Sequence, residues 1–368
     1  MKVAIVHDYL IAEGGAEKVL RAFLDIFPDA PIYTLFYNRK KFKELRRHDI
    51  KVSFLNKIPF LKKMHQLFIP VYPLGIGSLK LKDYDLILST SWGWSKGIKK
   101  NKGICHICYC CTPMRFAYNM QEAHLRHKGK IVKTVTRRIF DRLRKWDLST
   151  TERVDFFISI SRTARDRILQ FYNRDSITIP PPVDTRAFKP NIQAKRGDYF
   201  LIASRLVPYK HIDIAIKAFN ELGSPLKITG AGSEFKRLKR MAGRNIELLG
   251  FVSQEALIEL YQDCRAFILP QEEDWGIAAI EALACGKPII AYAKGGALEY
   301  ILEGRTGHFF YEQSPEAMIK AVKEFQDMNF DSIQLRQVAL LFDKDVFKKR
   351  IEIFVKEKYE EFCSNCRK

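Results

Sequence analysis

The sequence predicts two α/β domains, each a doubly wound parallel sheet. Three observations carry that prediction. The chain has 368 residues, about two domains' worth. Short apolar runs of strand length alternate with amphipathic runs of helix length in both halves. Between the halves, Pro180-Pro181-Pro182 and the polar stretch from Lys189 to Asp198 read as a linker. The domains are expected at 1–185 and 195–346.

The first domain opens with the apolar run Val3–Val6, a buried strand, then a loop containing Gly14-Gly15 and a helix over Ala16–Ile26. Further strands are expected at Pro31–Phe36, Asp85–Ser89, Ile104–Cys110 and Phe156–Ser159, separated by helical or irregular basic segments. The second domain has cleaner punctuation. Strands at Tyr199–Ser204, Leu226–Thr229, Ile246–Leu249, Ala266–Leu269 and Pro288–Tyr292 alternate with helices at Asp213–Leu222, Glu234–Ala242, Glu255–Gln262 and Ile277–Cys285. The last of these is closed by Gly286 and Pro288, and a further helix follows at Pro315–Gln326. These lengths suit right-handed βαβ crossovers. Two such domains would leave a cleft at the carboxyl ends of their strands, where open parallel sheets take ligands.

Composition excludes several classes. Apolar residues make up 47 % and charged residues 28 %, which rules out a disordered chain, a collagen-like fibre and a small disulfide scaffold. The net charge is +20, and it is unevenly placed. Residues 1–190 hold 36 basic and 17 acidic side chains, and residues 191–368 hold 26 and 25. The excess therefore belongs to the first half and points to an anionic partner there. No run approaches 18 uncharged apolar residues, and the start reads as a first strand rather than a signal peptide. Four of the eight cysteines crowd into Cys105, Cys108, Cys110 and Cys111. They read as reduced thiols of a cytoplasmic protein, with a zinc site joining Cys105-x-x-Cys108 to Cys363-x-x-Cys366 as the alternative.

Three segments carry chemistry. In Glu272-Glu273-Asp274-Trp275-Gly276-Ile277, running into Glu281, two carboxylates straddle a helix N-terminus. Side chains tilt toward that terminus, so Glu281 leans back toward whatever binds there, while the free N–H groups from Gly276 onward attract an anion. A phosphate on the helix start and a hydroxyl pair on Glu281 together describe a nucleotide; the alternative is that the acids simply cap the helix. Arg205 and Lys210, in Ser204-Arg205-Leu206-Val207-Pro208-Tyr209-Lys210 after a strand, suit a diphosphate, unless they are an ordinary solvated surface. Gly14-Gly15-Ala16-Glu17 permits close backbone approach to a phosphate but matches neither G-x-G-x-x-G nor a P-loop.

Together these segments resemble the retaining glycosyltransferases of family 4, which share the GT-B fold. The resemblance covers nearly the whole chain. It rests on Glu273-x7-Glu281 with Ala282-Leu283-Ala284-Cys285-Gly286-Lys287-Pro288, on Ser204-Arg205-Leu206 with Lys210, and on Gly230-Ala231-Gly232 with Leu249-Gly250-Phe251-Val252-Ser253. Gly295-Gly296-Ala297-Leu298-Glu299 and Thr112-Pro113-Met114-Arg115-Phe116 are similar to the branch of polysaccharide mannosyltransferases. By that resemblance Arg205 and Lys210 hold the donor diphosphate, Glu281 the ribose hydroxyls, and Glu273 lies beside the sugar. Gly14, Gly15, Gly276 and Ile277 approach phosphate or sugar, and Phe251 and Val252 flank the base. No metal and no cofactor beyond the nucleotide sugar is implied, the donor being GDP-mannose or, alternatively, a UDP-sugar. The last helix, within 347–368, would pack back on the first domain.

One departure stands out. The family commonly has His where this chain has Cys111, and often Asp where it has Asn119. A thiol cannot become a cation. The departing β-phosphate oxygen can take the acceptor proton itself, so Cys111 is expected to cost rate without abolishing transfer. The alternative is a donor-binding protein with impaired catalysis. His7 and His106 are nearby candidates, with a structural role as the competing reading.

The basic half adds a partner. Residues 39–63 hold ten Lys/Arg and 126–145 hold nine, the latter interleaved with Ile131, Val132, Val135, Ile139, Phe140, Leu143 and Trp146. Such a helix suits an anionic membrane surface. Lys62, Lys63, Arg137, Arg138, Arg142 and Trp146 are the expected acceptor and membrane contacts. No helix-turn-helix, RNP or zinc-finger pattern supports nucleic acid. The expectation is a cytoplasmic, peripheral membrane enzyme moving a hexose onto a lipid-linked or polysaccharide acceptor.

Overall fold

The computed structural model describes residues 1–58, 61, 65–118, 121, 129–191, 193 and 197–366. The chain divides into two compact units, Met1–Pro181 with Phe347–Lys368, and Pro182–Val346.

The first unit holds β1 (Val3–His7), α1 (Gly15–Ile26), β2 (Ile32–Thr34), β3 (Ile50–Val52), α2 (Tyr72–Gly77), β4 (Leu86–Ser91) and β5 (Cys105–Cys110). It continues with α3 (Lys130–Ser149), β6 (Phe156–Ser159), α4 (Arg162–Tyr172) and β7 (Ser176–Thr178). Its seven strands lie in the order β3-β2-β1-β4-β5-β6-β7, every pair parallel. Central strands of such a sheet are covered on both faces, and all residues of β1, β4 and β5 are buried.

The second unit runs β8 (Phe200–Ala203), α5 (Ile212–Leu222), β9 (Leu226–Thr229), α6 (Phe235–Met241), β10 (Ile246–Gly250) and α7 (Gln254–Asp263). It goes on through β11 (Ala266–Leu269), α8 (Ile277–Ala284), β12 (Ile289–Tyr292), β13 (Gly307–Phe310), α9 (Pro315–Phe325) and α10 (Ser332–Leu340). Six parallel strands lie in the order β10-β9-β8-β11-β12-β13. Phe200, Ile202, Ile216, Phe219, Ile228, Ile268, Ile290 and Val322 share one core beneath α5 and α9. The last helix, α11 (Lys344–Cys366), crosses the boundary between the units. Within the first unit its Phe347 stacks on Phe23 at 6.1 Å, and Arg350 donates to the Thr178 carbonyl.

Several elements escaped the sequence. β13 reads Gly-His-Phe-Phe, too broken for a strand pattern, and becomes one by pairing with β12. α4 carries three arginines, so its polarity hid it. It buries only one edge, Ala164, Ile168 and Tyr172 at helical spacing, behind a Ser161 cap on the Ala164 amide. Residues 182–190, which look like linker, are tied into the second unit. Val183 bridges Asp343, and Arg336 donates to the carbonyls of Thr185 and Phe188. All eight cysteines are free. Cys105 and Cys108 sit three apart on a strand and face opposite sides of the sheet, so the two cannot chelate one ion. Among the described residues, no three His, Cys, Asp or Glu side chains are placed to hold a metal ion.

Candidate functional site

In the second unit the strand order reverses between β8 and β11, and loops leaving the carboxyl ends of parallel strands at such a reversal form a binding crevice. The loop after β8 carries Arg205 and Lys210. Arg205 is exposed and donates to the Tyr209 hydroxyl at 2.6 Å. Lys210 lies at the end of a short turn, Pro208–Lys210, and its ammonium is largely buried against Glu273. The loop after β9 seats this one. A Cβ on Gly230 would fall 1.8 Å from the Ser204 carbonyl oxygen, and one on Gly232 would fall 2.1 Å from that of Leu206. Only glycine admits so close a backbone approach.

The loop after β11 supplies the acids. Glu273 accepts from Lys210 and, at 2.6 Å, from the Gln271 amide on the same oxygen, Oε1. Its backbone carbonyl accepts from the Gly296 amide at 2.8 Å, which ties the loop to the segment after β12. Gly276, at φ +94°, turns the chain into α8 in a conformation other residues resist. Ile277 begins that helix, half-buried. Glu281 sits one turn further in, buried, and accepts from the Tyr261 hydroxyl at 3.2 Å. Burial, with the Glu281 charge beside it, pushes the Tyr261 phenol well up, so it stays a donor. Past β10, Phe251 is 80 % exposed and Val252 half-buried. The second unit thus gathers two cations, two carboxylates, a helix N-terminus and an exposed aromatic face at one sheet edge.

The first unit reverses its strand order between β1 and β4. Gly14 precedes α1 and Gly15 begins it, and the Glu17 carboxylate lies against Gly14, 3.1 Å from where a Cβ would stand. Glu17 faces His7 Nε2 at 3.3 Å, both buried, and His7 Nδ1 has no partner among the described residues. Asp8, next in the chain, accepts from the amides of Trp92, Trp94 and Ser95 and so fixes the loop after β4. Burial raises its pKa, with those amides working the other way. Cys111 is half-buried at the end of β5, and burial pushes its thiol well up, aided by the Asp8 and Glu17 charges. His106 is remote from it, at the opposite end of β5. It bonds Ser89 through Nε2 and the Arg153 carbonyl through Nδ1, which is a structural role.

Of the expected acceptor and membrane contacts, Lys62 and Lys63 lie outside the described residues, as does Asn119. Arg137, Arg138 and Arg142 are exposed on α3. Trp146 instead packs inward, stacked on Trp94 at 5.7 Å. Sequence reasoning missed Gln271 and Tyr261, because neither type is tied to this chemistry by spacing. Asp8 and Glu17 sat inside noted segments without a role.

Residues 184–337 match the family described as glycosyl transferases group 1. An uncharacterized glycosyltransferase of Methanocaldococcus jannaschii is 23 % identical over 337 residues, 88 % of each chain. A GDP-mannose-dependent alpha-(1-6)-phosphatidylinositol monomannoside mannosyltransferase of Mycolicibacterium smegmatis is 30 % identical over 198 residues. That match takes in 46 % of this chain and about half, 52 %, of the relative. Among solved structures, sucrose-phosphate synthase from Thermosynechococcus elongatus superposes with a TM-score of 0.74 at 15 % identity, covering 98 % of this chain and 100 % of its own. Anabaena HepE in complex with UDP gives 0.71 at 17 %, covering 97 % and 100 %. At these identities the two structures establish a common fold, GT-B.

Proposed function

We infer that this chain is a glycosyltransferase, a reading supported by the group 1 glycosyl transferase family that residues 184–337 match. We propose that it transfers a hexose, mannose from GDP-mannose, with retention of configuration, to a lipid-linked or polysaccharide acceptor. The observation that carries the donor site is the joining of Lys210, Glu273, the α8 N-terminus and Glu281 at one sheet edge. The partial likeness to a GDP-mannose-dependent mannosyltransferase supports the choice of donor.

In this reading Arg205 and Lys210 take the diphosphate, and the amides of Gly276 and Ile277 take its remaining charge. Glu281 accepts from the ribose hydroxyls, and Phe251 and Val252 lie along the base. The bond from the anomeric carbon to the β-phosphate oxygen breaks, and the acceptor oxygen bonds that carbon on the same face. The acceptor proton passes to the departing phosphate oxygen. Two cations and a helix dipole stabilise the leaving diphosphate, usually the largest catalytic contribution. No metal is needed for that charge balance, and no protein base is obligatory at Cys111.

The first unit meets the acceptor and an anionic membrane surface in this proposal. Ile131, Val132 and Val135 are exposed on the first turns of α3, next to Lys130, Arg137 and Arg138. Apolar and basic side chains exposed together suit a lipid interface. No helix among the described residues is long and apolar enough to cross a membrane. Purified protein offered a panel of nucleotide sugars tests the reading by nucleoside diphosphate release. Release from GDP-mannose, with thermal stabilisation by GDP and not by oligonucleotide, is the expected result. Release from UDP-sugars alone would reassign the donor, and GDP binding without any turnover would leave a binding protein.

A further inference from the structure

Gln271 is the one side chain of the β11 loop whose two polar ends are treated differently. It is 2 % exposed. Its Nε2 donates to Glu273 Oε1 at 2.6 Å, while its own Oε1 has no partner among the described residues. Turning the amide over would set two acceptors face to face, so chemistry fixes its orientation. A buried carbonyl without a donor is costly, and a merely structural glutamine would satisfy both ends. This one satisfies only the end that meets Glu273.

The other donor on that same oxygen is Lys210. On the reading proposed above, Lys210 also serves the donor diphosphate, and it cannot do both at full strength. A diphosphate carries more charge than one carboxylate, so it draws the ammonium away when it binds. Glu273 then stands next to new negative charge with its cation gone. Gln271 is neutral, buried and has no competing partner, so it stays.

We propose that Gln271 is a positioning residue, which holds the Glu273 carboxylate in place when Lys210 leaves it for the donor diphosphate. Gln271 is neutral and buried, so its loss is expected to fall on turnover rather than on donor binding. The proposal rests on the glycosyltransferase reading of this site, and the experiment separates the two.

Steady-state kinetics on Q271M and Q271E test it, with nucleoside diphosphate release as the signal. Both side chains match glutamine in size, so the buried site stays filled. Q271M is expected to lower kcat about 10- to 100-fold with donor KM within about threefold of wild type, the loss of one hydrogen bond to a charged group. Q271E places a second carboxylate against Glu273, and the pair shares one proton near neutrality. Its kcat is therefore expected to fall between pH 6 and 8, as that proton leaves and the two carboxylates repel, where that of Q271M does not. Wild-type kcat in both variants, or a raised KM with kcat unchanged, overturns the positioning role while leaving the donor site standing. A wild-type protein inactive with every nucleotide sugar overturns both.

Discussion

Lys96 and Asp147 form an ion pair at 2.5 Å, sealed from solvent, between the turn after β4 and the last turns of α3. All three ammonium protons are used, on Asp147 Oδ1, the Asp147 carbonyl and Thr150 Oγ1. Asp147 Oδ2 accepts in turn from the hydroxyls of Tyr118 and Tyr172. The network anchors the basic helix to the sheet. Removing one charge strands the other, so K96M should destabilise the first unit by about 3–5 kcal/mol. K96M/D147L should recover most of that loss. Urea unfolding of the single and double variants checks both; equal stability of K96M and wild type would deny the pair its role.

His106 makes folding depend on pH. Burial holds its pKa down to about 3, with the Lys100 charge acting the same way. An unfolded histidine titrates near 6.5. The folded state therefore binds fewer protons than the unfolded state below that pH. The contribution is full above pH 6.5 and is lost progressively as pH falls toward 3. From pH 7 to 5 the loss is about 2 kcal/mol. H106Q, which keeps a donor and an acceptor, should flatten this part of the stability profile in chemical denaturation at each pH.

Cys111 should behave as a neutral thiol. Its raised pKa leaves no thiolate at pH 8, so alkylation by iodoacetamide should be at least tenfold slower than for an exposed cysteine. Turnover should persist in C111S and rise in C111H, because an imidazole bonds sugar hydroxyls better than a thiol does. Activity confined to the histidine variant would show that the native residue blocks catalysis.

Glu281 should read the ribose. E281Q keeps the shape and loses the charge, and is expected to raise donor KM about tenfold, the loss of a charge-assisted hydrogen bond. Wild type should prefer GDP over 2′-deoxy-GDP, and E281Q should lose that preference. Calorimetric titration of both nucleotides decides it.

The exposed arginines of α3 should govern lipid binding. Each basic residue near an anionic surface is worth about 1 kcal/mol. R137E/R138E/R142E should therefore weaken sedimentation with phosphatidylglycerol vesicles by at least tenfold and remove its salt dependence, with GDP binding unchanged. Unaltered sedimentation would place the lipid contact elsewhere.

Much of the second unit is legible along the chain. Its strands β8, β11 and β12 are unbroken apolar runs, two of its helices end at Gly223 and Gly286, and the spacing of Glu273 and Glu281 is local to one loop and helix. The first unit is harder to read. The seven apolar positions interleaved with its basic residues pass for one lipid-facing stripe. In the fold that stripe divides: Phe140 and Leu143 are buried and Trp146 stacks on Trp94, while Ile131 is 82 % exposed. Periodicity locates a helix's apolar face but says nothing of how much of its length has something to lie against.

The sequence by itself determined two parallel α/β sheets, the excess of positive charge in the first half, and the residue types at the glycine loops and the α8 N-terminus. These follow from patterns of short range, the alternation of apolar runs and the chemistry of neighbouring residues. Tertiary structure alone decided which donors reach which acceptor. Lys210 and Gln271 meet one oxygen of Glu273 although Lys210 is 63 residues away from it, and Lys96 finds Asp147 across 51. Parallel strands bring distant loops to the same sheet edge, and the identity of a lysine carries no record of which carboxylate it will reach.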